Sequence, residues 1–111
     1  MEEAKEEYEK LITEVRKERE KGIFSSKNQT LLRSIDQKVE LLKLNPVAGT
    51  PIKKRMIPRK YSELTNLWKI NLANYWRMLY TLSTNEIEIA AFVLEITDHE
   101  KYDKVFGYRG K

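Results

Sequence analysis

Apolar and polar residues alternate with a period of two through residues 67–82, which read LWKINLANYWRMLYTL. Apolar side chains stand at every second position from Trp68 to Leu72, and again from Trp76 to Leu82. Alternation of aromatic and β-branched residues is typical of strands, and the short polar break between the two runs predicts a turn. This stretch is therefore predicted to form a β-hairpin.

The register of the hairpin follows from the parity of the apolar positions. If both apolar sets lie on one face, paired residues must have numbers with an even sum, which requires an odd loop such as residues 73–75. The same parity places Lys69, Asn71 and Arg77 together on the opposite face. The hairpin is thus predicted to build a core with one face and a cationic site with the other.

Two segments before the hairpin show helical spacing of apolar residues. They are residues 2–21, with Gly22 as a stop signal, and residues 27–44. Ser26 with Gln29 three residues later resembles a capping box at the start of the second segment. Because only a short polar loop joins the two segments, we expect an antiparallel helix pair that packs on one face of the sheet.

Residues 52–60, IKKRMIPRK, are basic and follow a turn-rich stretch. Ile52, Lys54 and Met56 predict a short strand, which Pro58 would confine to the edge of the sheet. One interpretation is a phosphate-contacting rim, and the other is an edge strand that its lysines protect from aggregation. The basic residues in question are Lys53, Lys54, Arg55, Arg59 and Lys60.

A third strand of the meander is predicted for residues 86–94, after a two-residue turn. That loop length would place Leu82 opposite Ile87, Tyr80 opposite Ile89, and Met78 opposite Ala91. Phe92 and Leu94 would then fall on the Arg77 side of the sheet. A short helix over residues 98–106 is the candidate to cover them.

The predicted fold class is α+β. Two N-terminal antiparallel helices pack on a small antiparallel β-sheet, and a short C-terminal helix completes one domain over residues 1–111. A chain of this length can bury a modest core of its own.

The chain has 21 basic and 17 acidic side chains, which leaves a net charge of +4. Residues 1–22 contain eight acids and six bases, so their net charge is −2 and the remainder carries +6. The basic excess therefore lies with the hairpin and its neighbours, as expected for a surface that binds a polyanion.

The chain contains no cysteine and a single histidine, which argues against a zinc site, and no cofactor is expected. Its N-terminus is charged from the second residue, and no apolar run approaches the roughly 18 residues of a membrane span. We therefore expect a soluble cytoplasmic protein that does not contact membranes.

Three local matches resemble the RelE/ParE toxin superfamily. They are LLKLNPVAG at the end of the second helix, LWKINL followed by YWRMLY in the hairpin, and DHEKYDKVFGY near the C-terminus. The resemblance covers roughly residues 4–108 and implies a RelE-like fold. It also implies a toxin that cleaves messenger RNA on the ribosome and that an antitoxin protein neutralises.

Cleavage of this kind is implied to be metal-free, with the ribose 2′-hydroxyl attacking the adjacent phosphorus. Such a reaction needs a base, a cation for the phosphoryl oxygens and an acid for the leaving oxygen. By position, Arg77 is the charge stabiliser and Lys69 a supporting cation or proton-transfer group. His99 and Tyr102 stand where family members place acid, base or base-stacking groups. The RNA-contacting residues are expected to be Lys53, Lys54, Arg55, Arg59, Lys60, Asn71 and Arg109.

Two alternatives remain open from the sequence. One is a ParE-like toxin that binds DNA gyrase, and the other is a catalytically inactive RelE-fold binding module. The histidine and the Lys69–Arg77 pair favour the nuclease. Asn71 favours the alternatives, because ribosome-dependent nucleases of the family often carry a second lysine at that position.

Overall fold

The computed structural model describes residues 2–84 and 86–94, and within these ranges the chain forms two helices and one four-stranded antiparallel sheet. In chain order the elements are α1 (Glu2–Glu20), α2 (Lys27–Leu44), β1 (Thr50–Pro51), β2 (Trp68–Asn71), β3 (Trp76–Ser83) and β4 (Glu86–Leu94). The strands are adjacent in the order β1-β2-β3-β4. The predicted α+β class is confirmed, and the predicted helix over residues 98–106 lies outside the described residues.

The two helices lie antiparallel and are joined by hydrogen bonds near their middle and near the loop that connects them. The Tyr8 hydroxyl donates to Asp36 Oδ1 over 2.7 Å, and Asn28 Nδ2 donates to Glu18 Oε2 over 2.9 Å. Gly22 follows α1 with a φ of +84°, the left-handed conformation in which glycine commonly ends a helix. The bond to Asp36 and partial burial together raise the pKa of Tyr8 to about 12.

The loop between the helices is fixed by the start of α2. Ser26 Oγ accepts the backbone N–H of Gln29 over 3.1 Å, which confirms the predicted cap. The return half of a capping box does not form. Instead, the Gln29 amide nitrogen donates to Ile23 O (2.8 Å) and to Glu18 Oε1 (3.1 Å). Gln29 thereby ties the loop to α1, and its amide oxygen is buried without a partner among the described residues.

The hairpin has the predicted register. Trp68 pairs with Tyr80 and Ile70 pairs with Met78, so the numbers of paired residues have an even sum. The loop is the odd three-residue segment Ala73–Tyr75, closed by a bond of 2.8 Å from Leu72 N to Trp76 O.

The tip of the hairpin packs against α2. Asn74 and Tyr75 both have left-handed backbone angles, with φ of +58° and +66°. Such an angle is costly for most residues with a Cβ, including Tyr75, although asparagine adopts it more readily. Bonds to α2 offset this cost, because Ala73 N donates to Ser34 Oγ and Asn74 Nδ2 donates to Lys27 O.

The helices pack on one face of the sheet, where the larger of two apolar clusters lies. We call this cluster the helix-side core. Its buried members are Ile35 and Leu42 of α2 together with Ile70, Leu72, Met78 and Tyr80. Met78 and Tyr80 are fully buried, which matches their predicted position on the inward face of β3.

A β-bulge overturns one part of the predicted sheet. Leu82–Ile87 and Tyr80–Ile89 pair as expected, but Met78 faces Phe92 instead of Ala91. One extra residue, Ala90, is accommodated in β4 opposite the step from Leu79 to Tyr80.

An extra residue reverses the facing of every later side chain of the strand. Phe92 therefore packs against the helix-side core, and Leu94 pairs with Trp76, which packs against the same core. The prediction that Phe92 and Leu94 lie on the Arg77 side was wrong, and Val93 pairs with Arg77 instead.

The predicted strand over Ile52, Lys54 and Met56 was also wrong. The ladder ends at β1, whose last link is a bond of 2.8 Å from Ile52 N to Leu67 O. Two 3₁₀ turns follow, over Lys54–Met56 and Arg59–Tyr61. Proline at the head of the second turn cannot donate to a ladder, so an extended edge is not continued there.

The segment with these turns crosses the sheet face opposite the helices and builds a second core there. This second core consists of buried Tyr61, Leu67, Leu79, Ala90 and Ala91, with Ile52, Ile57, Leu64 and Val93 packed against it. The sheet is therefore covered on both faces, by helices on one and by irregular chain on the other.

Candidate nucleic-acid interface

Lys69, Asn71 and Arg77 lie on one face of the sheet, the face opposite the helices. Asn71 pairs directly with Arg77, and Lys69 pairs with Leu79 of the second core. Asn71 is exposed, whereas Lys69 and Arg77 are half-buried. The register thus brings together the three polar residues that the alternation singled out.

Asn71 and Arg77 form the closer type of cross-strand pair. Antiparallel ladders alternate between hydrogen-bonded and non-hydrogen-bonded pairs, and Leu72 is hydrogen-bonded to Trp76. The next pair, Asn71 with Arg77, is therefore non-hydrogen-bonded. Cα atoms in such pairs are about 4.5 Å apart, so the side chains start as near neighbours.

The basic segment, residues 52–60, presents its cations to solvent beside this face. Lys53, Lys54, Arg55, Arg59 and Lys60 are all exposed. Its apolar residues Ile52 and Ile57 are turned the other way and pack on the second core. The basic segment therefore directs its isoleucines to the second core and its cations to solvent. It does so through two 3₁₀ turns and not through the strand that the sequence predicted.

Lys60 differs from the other four cations of the basic segment. Its Nζ lies 3.5 Å from Glu3 Oε1 of α1 and 5.2 Å from the centre of the Tyr61 ring. Interaction with Tyr61 and Glu3 raises the pKa of Lys60. This cation therefore links the second face to α1, and we assign it a smaller part in any external contact.

The stretch of chain that includes the basic segment and the hairpin is predominantly positively charged. Residues 41–84 contain eight basic side chains and a single acidic one, Glu63. The nearest acids on the sheet are at its other end, where Glu86 pairs with Ser83 and Glu88 with Thr81. Residues 41–84 are thus the most basic part of the described chain, which is the composition expected of a region that binds a polyanion.

The NPVAG turn holds β1 against Lys69. The Tyr80 hydroxyl accepts from Gly49 N over 3.1 Å and donates to Pro46 O over 3.0 Å. A Cβ at position 49 would lie 2.6 Å from Lys69 O and would also collide with the Tyr80 hydroxyl. Burial raises the pKa of Tyr80, so the phenol stays protonated and keeps both bonds.

Sequence reasoning did not identify this role of Tyr80, because alternation shows only that the residue faces inward. It also missed Thr50, which pairs with Lys69 and adds a hydroxyl to the same face. No local sequence signal marks Thr50, since its position depends on where β1 meets β2.

His99, Tyr102 and Arg109 lie outside the described residues. Among residues 2–84 and 86–94, no group of three or more His, Cys, Asp or Glu side chains is arranged to hold a metal ion. Over the same ranges, neither helix combines the length and the apolar character needed to cross a membrane.

Neither a protein-family model, nor a curated protein, nor a solved structure matches this chain.

Proposed function

We propose that this protein is a RelE-like toxin, an endoribonuclease that cleaves messenger RNA on the ribosome and is neutralised by an antitoxin. The observation that carries the proposal is the cross-strand pair of Asn71 and Arg77, with Lys69 on the same face. The exposed basic segment adjoins it, and residues 41–84 contain a single acidic side chain. This combination suits a substrate that is both polyanionic and chemically reactive at a phosphate.

In the proposed reaction the ribose 2′-oxygen forms a bond to the adjacent phosphorus, and the bond from phosphorus to the 5′-oxygen breaks. The hydroxyl proton passes to a base, and an acid protonates the leaving 5′-oxygen. The products are a 2′,3′-cyclic phosphate and a 5′-hydroxyl, and no metal is consumed or required.

Arg77 is assigned to the charge that grows on the phosphoryl oxygens in the transition state. A guanidinium presents several donors in a fixed plane and can bind two phosphate oxygens at once. Because that charge is larger in the transition state than in the ground state, the contact acts mainly on the rate. Lys69 is assigned as a supporting cation, and His99 and Tyr102 as proton-transfer or base-stacking groups.

The test is single-turnover cleavage of ribosome-bound message with chelator present. Removing one preorganised donor of this type typically lowers the rate by roughly 10²–10³. Arg77→Ala should show a loss of this order, whereas Arg33→Ala, which removes an exposed arginine of α2, should leave the rate unchanged. Equal rates for wild type and Arg77→Ala would show that the site is assigned wrongly.

The second candidate is a binding function without cleavage, as in a gyrase-binding toxin or an inactive binding module. Asn71 favours it, since an amide in place of a cation lowers the positive charge beside Arg77. The same assay separates the two candidates. If wild type leaves ribosome-bound message intact, the nuclease is ruled out and a binding function takes its place.

A further inference from the structure

Asn71 has a chemical property that the neighbouring cations lack. Lysine and arginine side chains carry donors only, whereas an amide carries donors and an acceptor oxygen. Asn71 is exposed and stands directly opposite Arg77. No group among the described residues hydrogen-bonds to its amide. An acceptor is therefore presented beside Arg77, to which the proposed function assigns the phosphate.

This pairing of one acceptor and one cation matches a single ribonucleotide step. Every phosphate of RNA adjoins a ribose whose 2′-hydroxyl is a hydrogen-bond donor, and DNA lacks that group. For in-line attack the hydroxyl oxygen must lie within about 3–3.5 Å of the phosphorus. Two side chains in a close cross-strand pair can contact both groups at once.

The lengths of the two side chains set the orientation of the substrate. Asn71 is short, so its amide stays close to the sheet, while the longer Arg77 side chain can extend beyond it. A ribose bound by Asn71 would therefore lie against the sheet. Its phosphate would lie farther from the sheet, within reach of the Arg77 guanidinium.

We infer that Asn71 is the ribose-binding residue of this site and that its amide oxygen accepts the 2′-hydroxyl next to the phosphate bound by Arg77. The inference rests on the proposed nuclease function and deepens it. Asn71 makes the surface selective for RNA over DNA and aligns the nucleophile. It is not the base, because an amide oxygen takes up protons too weakly, so another group removes the hydroxyl proton.

The experiment measures equilibrium binding of two short single-stranded RNAs, identical except for one 2′-deoxy nucleotide. The proposed nuclease requires the ribosome, so free RNA should remain intact during the titration, and a gel verifies this. Wild type should prefer the all-ribose strand by about 2- to 13-fold, the range for one net hydrogen bond. Asn71→Leu keeps a similar size without an acceptor and should bind both strands equally.

Two further variants test whether the ribose preference depends on the acceptor of Asn71. Asn71→Lys adds a cation without an acceptor, so it should bind both strands more tightly than wild type and distinguish neither. Ser83→Ala is the matched control, because Ser83 is exposed at the opposite end of β3, and it should keep the wild-type preference.

Absence of a ribose preference in wild type, or its survival in Asn71→Leu, would overturn the inference, as would absence of RNA binding. Failure of the proposed function looks different. Wild type would then keep a ribose preference that depends on Asn71 but would not cleave ribosome-bound message.

Discussion

At the scale of single residues, Gly49 and Tyr80 determine where the basic segment leaves the sheet. Position 49 requires glycine because a Cβ there would collide with both the Tyr80 hydroxyl and a backbone oxygen of β2. The backbone angles of Gly49 do not impose this requirement. The hydroxyl in turn bridges Pro46 and Gly49. These contacts fix β1 next to Lys69, so they also position the candidate site.

We expect Gly49→Ala to destabilise the protein by about 1–3 kcal/mol, because a backbone oxygen of a paired strand has no room to move away. Tyr80→Phe should cost about 1–3 kcal/mol as well, because it leaves the Gly49 N–H unpaired. The two effects should not add, since Gly49→Ala already displaces the hydroxyl. Denaturant unfolding of both single variants and the double variant measures this.

Gly22→Ala is the control for these variants. Nothing lies within 4 Å of a Cβ at position 22, so its cost is backbone strain alone. Its effect should therefore add fully to that of Tyr80→Phe. Additivity of Gly49→Ala with Tyr80→Phe would contradict the proposed coupling.

At the scale of elements, Glu18 joins the end of α1 to the start of α2. Its carboxylate accepts Ser26 Oγ over 2.5 Å, Asn28 Nδ2 over 2.9 Å and Gln29 Nε2 over 3.1 Å. The hydrogen bonds from Ser26 and Gln29 are the main causes that lower the pKa of Glu18. The helix pair is thus held by a group whose charged form is favoured in the fold.

A lowered pKa in the folded state has a defined sign in the pH dependence of stability. The contribution of Glu18 is present above the ordinary glutamate pKa, near 4.5, and is lost as the pH falls through the lowered value. Wild type should be more stable than Glu18→Gln at neutral pH, and this difference should shrink on acidification.

The measurement is the free energy of unfolding of both proteins from pH 7 down to the acid limit of reversible folding. Glu14→Gln is the control. Glu14 is exposed, and its carboxylate lies 3.9 Å from Lys17 Nζ in an (i, i+3) pair. Exposed pairs of this kind contribute little to stability. It should show little difference from wild type. A gap between wild type and Glu18→Gln that stays constant with pH would contradict the assigned role.

At the scale of the whole molecule, charge is separated along the chain. Residues 41–84 carry a net charge of +7, from eight bases and one acid, which exceeds the +4 of the whole chain, while Glu86 and Glu88 lie at the start of β4. A polyanion that binds the basic segment releases counterions in proportion to the phosphates contacted. The basic segment should therefore control the salt dependence of RNA binding.

Replacing Lys53, Lys54 and Arg55 together with glutamine should weaken RNA binding without changing the ribose preference. For single strands the slope of log affinity against log salt falls by about 0.7 per lost contact, so three contacts predict a change of roughly 2. The control replaces Lys5, Lys10 and Lys17 of α1 with glutamine. Equal slopes for both triple variants would show that the basic segment does not contact RNA.

An inhibitory partner should carry charge complementary to the basic surface. We expect an antitoxin with an acidic segment that covers the basic segment and the sheet face with Lys69 and Arg77, because complementary charge favours that encounter. A pull-down with the protein as bait, together with the product of the neighbouring reading frame, tests this. Capture that is unchanged by the Lys53, Lys54 and Arg55 replacement would place the partner elsewhere.

The sequence by itself determined the helices and the hairpin with its register. Spacing of apolar residues depends only on local backbone geometry, which repeats every 3.6 residues in a helix and every two in a strand. For the same reason, parity was enough to place Lys69, Asn71 and Arg77 on one face.

Only the tertiary structure decided where the pattern is interrupted. The bulge at Ala90 reversed the facing of Phe92 and Leu94, and because all residues from Ala90 to Leu94 are apolar, alternation does not show which of them face the helices. The basic segment was read as a strand, because Ile52, Lys54 and Met56 alternate. In the fold, its backbone leaves the ladder so that Ile52 and Ile57 can cover the second core. The contacts that fix these choices join residues far apart in the chain, such as Gly49 and Tyr80, and periodicity along a sequence carries no information about them.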